Sequence, residues 1–69
     1  MDQSKLIMMA NQIARNLQHH EESEAIGELV SHISLYWTRQ MIAQLLMLDQ
    51  SKGLDPLVIK AFARLKENV

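Results

Sequence analysis

Apolar side chains recur every three or four residues along almost the whole chain, and this spacing constrains the fold more than any other feature. It matches the 3.6-residue turn of an α-helix, and no alternating run is long enough to predict a strand. The predicted apolar faces are Leu6, Met9, Ala10, Ile13, Ala14 and Leu17; Ala25, Ile26, Leu29, Val30, Ile33, Tyr36 and Trp37; Met41, Ile42, Leu45, Leu46 and Leu48; and Leu57, Val58, Ala61, Phe62 and Leu65. We therefore predict an all-α fold in which residues 1–69 form one small domain of four short helices with tight connections.

Residues with capping chemistry predict where the first three helices begin. Ser4 predicts a first helix over about 4–18, and Ser23 is expected to cap the second helix. Thr38 is the expected cap of the third helix. Trp37 before it is predicted to pack against an apolar residue one turn into that helix, as a hydrophobic staple. This arrangement predicts a tight corner between the second and third helices.

The segment before the last helix carries the clearest signals for a helix end and a helix start in the sequence. Gly53 is predicted to end the third helix as a residue in the left-handed conformation, with Leu54 beside it covering Leu48. Asp55 followed by Pro56 is typical of an acidic N-cap with proline at the first helical position. We expect the fourth helix to begin there.

The composition argues against several function classes. The absence of cysteine excludes disulfides, cysteine-bound zinc, iron–sulfur ligation and thiol catalysis. His19 and His20 are adjacent and so point about 100° apart on a helix, which makes weak adventitious metal binding less favoured than a solvated helix end. No serine has a histidine and an acid arranged around it. We therefore expect no catalytic, cofactor-binding or metal-binding residue in this chain.

The charge and hydropathy of the chain argue against nucleic-acid and membrane partners. The net charge of −1 offers no basic excess for phosphate contacts. A helix-turn-helix reading places Arg39, Gln40 and Gln44 toward a groove, but methionine and leucine fill most of that helix. No apolar run is long enough for a membrane span or a signal peptide, so a cytoplasmic location is expected.

The small size of the chain makes a protein partner a serious candidate. The free energy gained from the core that 69 residues can build only roughly balances the conformational entropy lost on folding. Small domains often add disulfides or a bound metal, and this sequence has no cysteine and no dense cluster of metal ligands. Met8, Leu35, Met47 and Ile59 each lie outside the core stripe of their own helix. Single exposed apolar residues are also ordinary on a protein surface, and Ile59 has the alternative of packing on the preceding turn. The ring of Trp37 fits a core position better than a binding hot spot, although both remain open.

Three segments carry a family resemblance. They are Lys5-Leu6-Ile7 with Met9-Ala10-Asn11-Gln12-Ile13, Tyr36-Trp37-Thr38-Arg39-Gln40-Met41 with Gln44-Leu45-Leu46, and Gly53-Leu54-Asp55-Pro56-Leu57-Val58 with Ala63-Arg64-Leu65. In this order they resemble the delta subunit of cytoplasmic NAD-dependent, molybdenum-containing formate dehydrogenases. The chain departs from that family where Thr38-Arg39-Gln40-Met41 replaces its typical Asp-Pro-Arg-Met, and at Met8, where the family is often basic.

The resemblance implies an accessory subunit. In that family the alpha subunit carries bis-molybdopterin guanine dinucleotide and iron–sulfur clusters, other subunits hold flavin and bind NAD, and the delta subunit carries no cofactor. We therefore predict a non-catalytic subunit that binds and stabilises the molybdenum-containing alpha subunit, or assists its assembly. The predicted interface residues are Met8, Leu35, Arg39, Met47 and Ile59. The alternatives are a free-standing helical adaptor, a homodimer that buries the third helix against itself and, less favoured, a helix-turn-helix DNA-binding regulator.

Overall fold

The amphipathic spacing forms four α-helices in the computed structural model, which describes residues 2–49 and 53–67. They are α1 (Gln3–Asn16), α2 (Glu22–Tyr36), α3 (Arg39–Leu46) and α4 (Pro56–Glu67). Within the described ranges there is no strand. The structure confirms the predicted all-α fold of four short helices.

One apolar core holds the helices together. α2 packs most extensively against α4, while α1 contacts each of the other three helices and α3 also packs on α4. The buried core consists of Leu6, Ala10, Ala14, Leu29, Val30, Ile33, Trp37, Ile42, Leu45, Leu48, Leu54, Val58, Ala61, Phe62 and Leu65. Burying a large aliphatic side chain contributes about 1.5–3 kcal/mol, so this cluster dominates the stability of the fold.

α1 begins earlier and ends earlier than predicted. Asp2 is its N-cap residue, with the extended backbone (φ −65°, ψ 138°) that such a position requires. Ser4 lies within the first turn and donates its hydroxyl to the Asp2 carboxylate, so the prediction of Ser4 as the cap was wrong. The helix ends at Asn16 because the chain tightens there, with the Leu17 amide donating to the Ala14 carbonyl at 3.1 Å.

α2 also begins before its predicted cap. Glu21 is the N-cap residue and its carbonyl accepts from the Ala25 amide at 2.8 Å, so the assignment of Ser23 as the cap was wrong. The earlier start places Glu22 and Glu24 in the first turn, where the positive end of the helix dipole favours carboxylates. It also allows Glu22 to pair with Lys60 of α4 across the α2–α4 contact.

The corner between α2 and α3 follows the prediction. The Thr38 hydroxyl oxygen accepts from the Met41 amide at 3.1 Å, which is an N-cap bond. Trp37 is 7% exposed and lies in the same core as Ile42, which confirms the core assignment of its ring. Tyr36 was predicted on the buried face, but it is 73% exposed. α2 ends at Tyr36, and the extended backbone of Trp37 brings the next side chain into the core instead.

The turn before α4 combines one wrong prediction with two correct ones. α3 ends at Leu46 and not near Gly53, because the chain turns there and buries Leu48. The predicted continuation through 50–52 lies outside the described residues. Gly53 does have the expected left-handed backbone (φ 87°), but it belongs to the turn that leads into α4. The Asp55 carboxylate accepts from the Leu57 amide at 2.9 Å, which confirms this cap and the start of α4 at Pro56.

Candidate partner-binding surface

A single amide side chain joins α1 to the turn that precedes α4. The Asn11 side-chain NH₂ donates to the Gly53 carbonyl at 2.9 Å, and its oxygen accepts from the Asp55 amide at 2.8 Å. One side chain thus satisfies a backbone acceptor and a backbone donor on either side of the buried Leu54. Sequence reasoning missed this role, because the two bonds connect positions 42 and 44 residues apart. Asn11 fixes the position of the α4 N-terminus relative to α1.

Four large apolar side chains lie on the surface. Met8 is 59% exposed, Leu35 and Tyr36 are each 73% exposed, and Met47 is 86% exposed. Three of these were predicted to lie off the core stripe, and Tyr36 was not. They are the candidate contact residues of the described chain, because exposed apolar side chains gain free energy when a partner covers them.

α1 and α2 enclose a long shallow surface depression, which we call the α1–α2 trough. Its α1 side consists of Met9, Gln12, Ile13, Asn16 and Leu17. Its α2 side consists of Glu28, Ser31, His32, Leu35, Tyr36 and Trp37. Two hollows of about 290 Å³ and 300 Å³ make up this trough, and they share Ile13, Asn16 and His32. The trough exists because α2 packs mainly against α4 and only partly closes on α1.

The predicted interface residues do not form one continuous site. Leu35 lines the α1–α2 trough, whereas Met47 lines a separate hollow of about 250 Å³ with residues of α1 and α3. Arg39 is exposed in the first turn of α3. Ile59 is partly buried and packs against the core, so its side chain has a structural role in α4. The exposed apolar surface is thus divided between two hollows and Met8 on α1.

Among the described residues that line the trough, Glu28 is the one carboxylate, and none is a lysine or arginine. His20 and Glu24 face each other one turn apart, with 3.4 Å between the imidazole Nδ1 and the carboxylate. Glu28, one further turn along α2, has no ion-pair partner within 4 Å among residues 2–49 and 53–67. The rings of His19 and His20 lie 4.8 Å apart at their centroids. No group of three metal-ligating side chains occurs within the described ranges.

The comparison with known families decides what kind of protein this is. Residues 5–62 match the family described as NADH-dependent formate dehydrogenase delta subunit FdsD. The chain belongs to this family. Neither a curated protein nor a solved structure matches it at a significant level.

The matched range of this delta subunit covers the hydrogen bonds and caps described above. It includes Asn11, the Thr38 cap and the Asp55-Pro56 helix start, as well as the exposed Leu35 and Met47. The predicted resemblance to the delta-subunit family is therefore confirmed, although Ala63-Arg64-Leu65 of the third segment lies beyond the matched residues. Across the described ranges, the helices are too short or too polar to cross a membrane.

Proposed function

We propose that this delta subunit is a non-catalytic accessory subunit, which binds the molybdenum-containing catalytic subunit of a formate dehydrogenase and stabilises it or assists its assembly. Family membership places the chain with a formate dehydrogenase. The observation that supports a binding role is the exposure of Met8, Leu35, Tyr36 and Met47 on so small a chain. Such side chains gain most when a partner removes them from water.

The two methionines are well suited to a contact of this kind. Met47 is 86% exposed at the end of α3, and Met8 is 59% exposed on α1. Thioether side chains are flexible and polarisable, so they adapt to the shape of an opposing surface. Complete burial of one such side chain contributes about 1.5–3 kcal/mol to binding. Arg39 and Ile59 complete the proposed interface set, with Arg39 supplying an exposed cation.

We further propose that this chain holds no cofactor and acts in the cytoplasm. The bis-molybdopterin guanine dinucleotide, iron–sulfur clusters, flavin and NAD would then reside on other subunits of the complex. The purified chain should contain no stoichiometric metal or flavin and should not oxidise formate. Elemental analysis measures the metal content, the absorbance spectrum measures flavin, and formate-dependent reduction of NAD⁺ measures the activity. Tightly held stoichiometric metal or flavin after purification would overturn the proposal.

The interface is tested by placing a charge on each methionine. Met8→Glu and Met47→Glu should leave the chain folded, because both positions are exposed. In a desolvated interface an unpaired charge costs several kcal/mol, so each variant should lose co-purification with the molybdenum subunit. Gln18→Glu is the matched control, since it adds the same charge at an exposed position just after α1 that lies outside the proposed interface. High salt should restore little binding to the methionine variants, because the lost contact is apolar.

The possible outcomes separate the interface from the function. Each variant is first checked for retained helicity by circular dichroism. If Met8→Glu and Met47→Glu bind as well as the Gln18→Glu control, the methionines are not part of the interface. If the unmodified chain does not bind the molybdenum subunit, the proposed accessory function itself is contradicted.

A further inference from the structure

We propose that the α1–α2 trough binds an amphipathic helix of the molybdenum-containing subunit, and that a lysine or arginine on that helix pairs with Glu28. The proposal rests on the proposed accessory function. It names the site on this chain and the chemistry of the segment that occupies it. Three features of the described structure support it: the length of the trough, its apolar lining and its single unpaired charge.

The length of the trough matches a short helical contact. Its α1 side runs from Met9 to Leu17, which at a rise of about 1.5 Å per residue is roughly 12 Å. Helices that dock in grooves use anchors spaced i, i+4 and i+7, which span about 10 Å. A partner helix of about two turns therefore fills the trough from end to end.

The lining of the trough favours an apolar stripe on the partner. Ile13 and Leu17 are half-buried on one side, and Leu35 and Tyr36 are each 73% exposed on the other. The uncharged polar side chains of Gln12, Asn16, Ser31 and His32 complete the lining. Because both walls are helices with satisfied backbones, an added β-strand would find nothing to pair with. A helix that presents apolar side chains is the occupant that this lining fits.

The charge at the trough favours a basic residue on the same partner helix. Glu28 lines the trough and lacks an ion-pair partner among the described residues, whereas Glu22 and Glu24 already face Lys60 and His20. α2 itself has no lysine or arginine. The Arg64 guanidinium of α4 lies beside Gly27, but among the described residues it forms no ion pair with Glu28. A partner cation over Glu28 would fix the register of the helix and speed its encounter.

Binding measurements on matched variants test the proposal. The unmodified chain and each variant are titrated against the isolated molybdenum subunit, and the affinity is followed as a function of salt. Leu35→Glu and Glu28→Lys should each weaken binding by about tenfold or more, since one places a charge in the apolar trough and the other repels the partner cation. Glu67→Lys is the control: it makes the same change of charge at an exposed position in the last turn of α4, outside the trough, and should stay within about threefold of the unmodified chain.

The salt dependence gives a readout that a folding defect would not produce. Glu28→Gln removes the charge but keeps the size of the side chain, so binding should become less sensitive to salt than that of the unmodified chain. An equal salt dependence for Glu28→Gln and the unmodified chain would overturn the proposed ion pair. Binding of Leu35→Glu at full strength would overturn the trough as the docking site. In both cases the unmodified chain still binds, so the accessory function survives the failure of this inference.

Cross-linking identifies the occupant. A photoreactive phenylalanine analogue placed at Leu35 should label a helical segment of the molybdenum subunit that contains lysine or arginine, and one placed at Ala63 on α4 should not label that segment. Labelling of a second copy of this chain, or of a segment without a cation, would overturn the proposal. If the unmodified chain does not bind the molybdenum subunit at all, both the proposed function and the proposed helix in the trough are contradicted.

Discussion

The Asn11 side chain should contribute more to stability than its half-exposed position on α1 suggests. Its amide donates to the Gly53 carbonyl at 2.9 Å and accepts from the Asp55 amide at 2.8 Å. Each hydrogen bond of this kind contributes about 0.5–1.5 kcal/mol, so Asn11→Ala should lower the free energy of unfolding by about 1–3 kcal/mol. A domain of this size is stable by roughly 3–10 kcal/mol in total, so the loss would be a substantial fraction.

The assay compares urea unfolding of Asn11→Ala with that of a neighbouring amide variant. Gln12→Ala is the matched control, because Gln12 is exposed on the same helix and its amide has no hydrogen-bond partner among the described residues. The melting temperature of Asn11→Ala should fall by about 4–8 °C for each kcal/mol lost. The Asp55 amide should also exchange its hydrogen faster in Asn11→Ala. A difference of less than about 0.5 kcal/mol between the two variants would refute the proposed clamp.

Three further substitutions have expected effects on stability, each measured by thermal or urea unfolding. Trp37→Ala should cost about 3–5 kcal/mol because the ring is buried, and a loss under about 0.5 kcal/mol would contradict the core role of the ring. Thr38→Ala should lower the free energy of unfolding by about 1 kcal/mol, because the capping hydrogen bond is lost. Thr38→Ser keeps the hydroxyl and should keep most of that stability, so equal losses for the two variants would contradict the capping bond. Gly27→Ala should stabilise the chain by about 0.5–1 kcal/mol, because alanine favours the helix and restricts the unfolded chain more than glycine does. The added methyl group has room, since it would lie 3.7 Å from an Arg64 guanidinium nitrogen, an ordinary contact. Destabilisation would show that α2 and α4 pack more tightly there.

Local signals in the sequence predicted the fold where the controlling interaction is itself local. Thr38 caps α3 through a bond to a residue three positions away, and Asp55 caps α4 through a bond two positions away. Such bonds depend only on the residue type and the adjacent backbone, so the sequence contains the whole cause. The apolar spacing is similarly local, which is why the four core faces were predicted with Tyr36 as the one exposed member.

Long-range contacts decided the features that sequence reasoning missed. The start of α2 before Ser23 brings Glu22 to Lys60, which is 38 positions away. The segment after α3 buries both Leu48 and Leu54. Which of its side chains become buried depends on the room that the other helices leave in the core, and the local sequence does not show this. Asn11 resembles any polar residue on a helix surface until the turn containing Gly53 packs beside it. The α1–α2 trough depends on how two helices diverge, so its outline was not predictable either.

Co-expression with the molybdenum subunit, followed by native mass spectrometry, tests the central claim most directly. The account predicts a complex whose mass exceeds that of the molybdenum subunit by a whole multiple of 7.9 kDa, the mass of this chain. That complex should be lost with Leu35→Glu and retained with Gln18→Glu. A molybdenum subunit recovered at its own mass, with the unmodified delta subunit present but free or paired only with itself, would contradict the account.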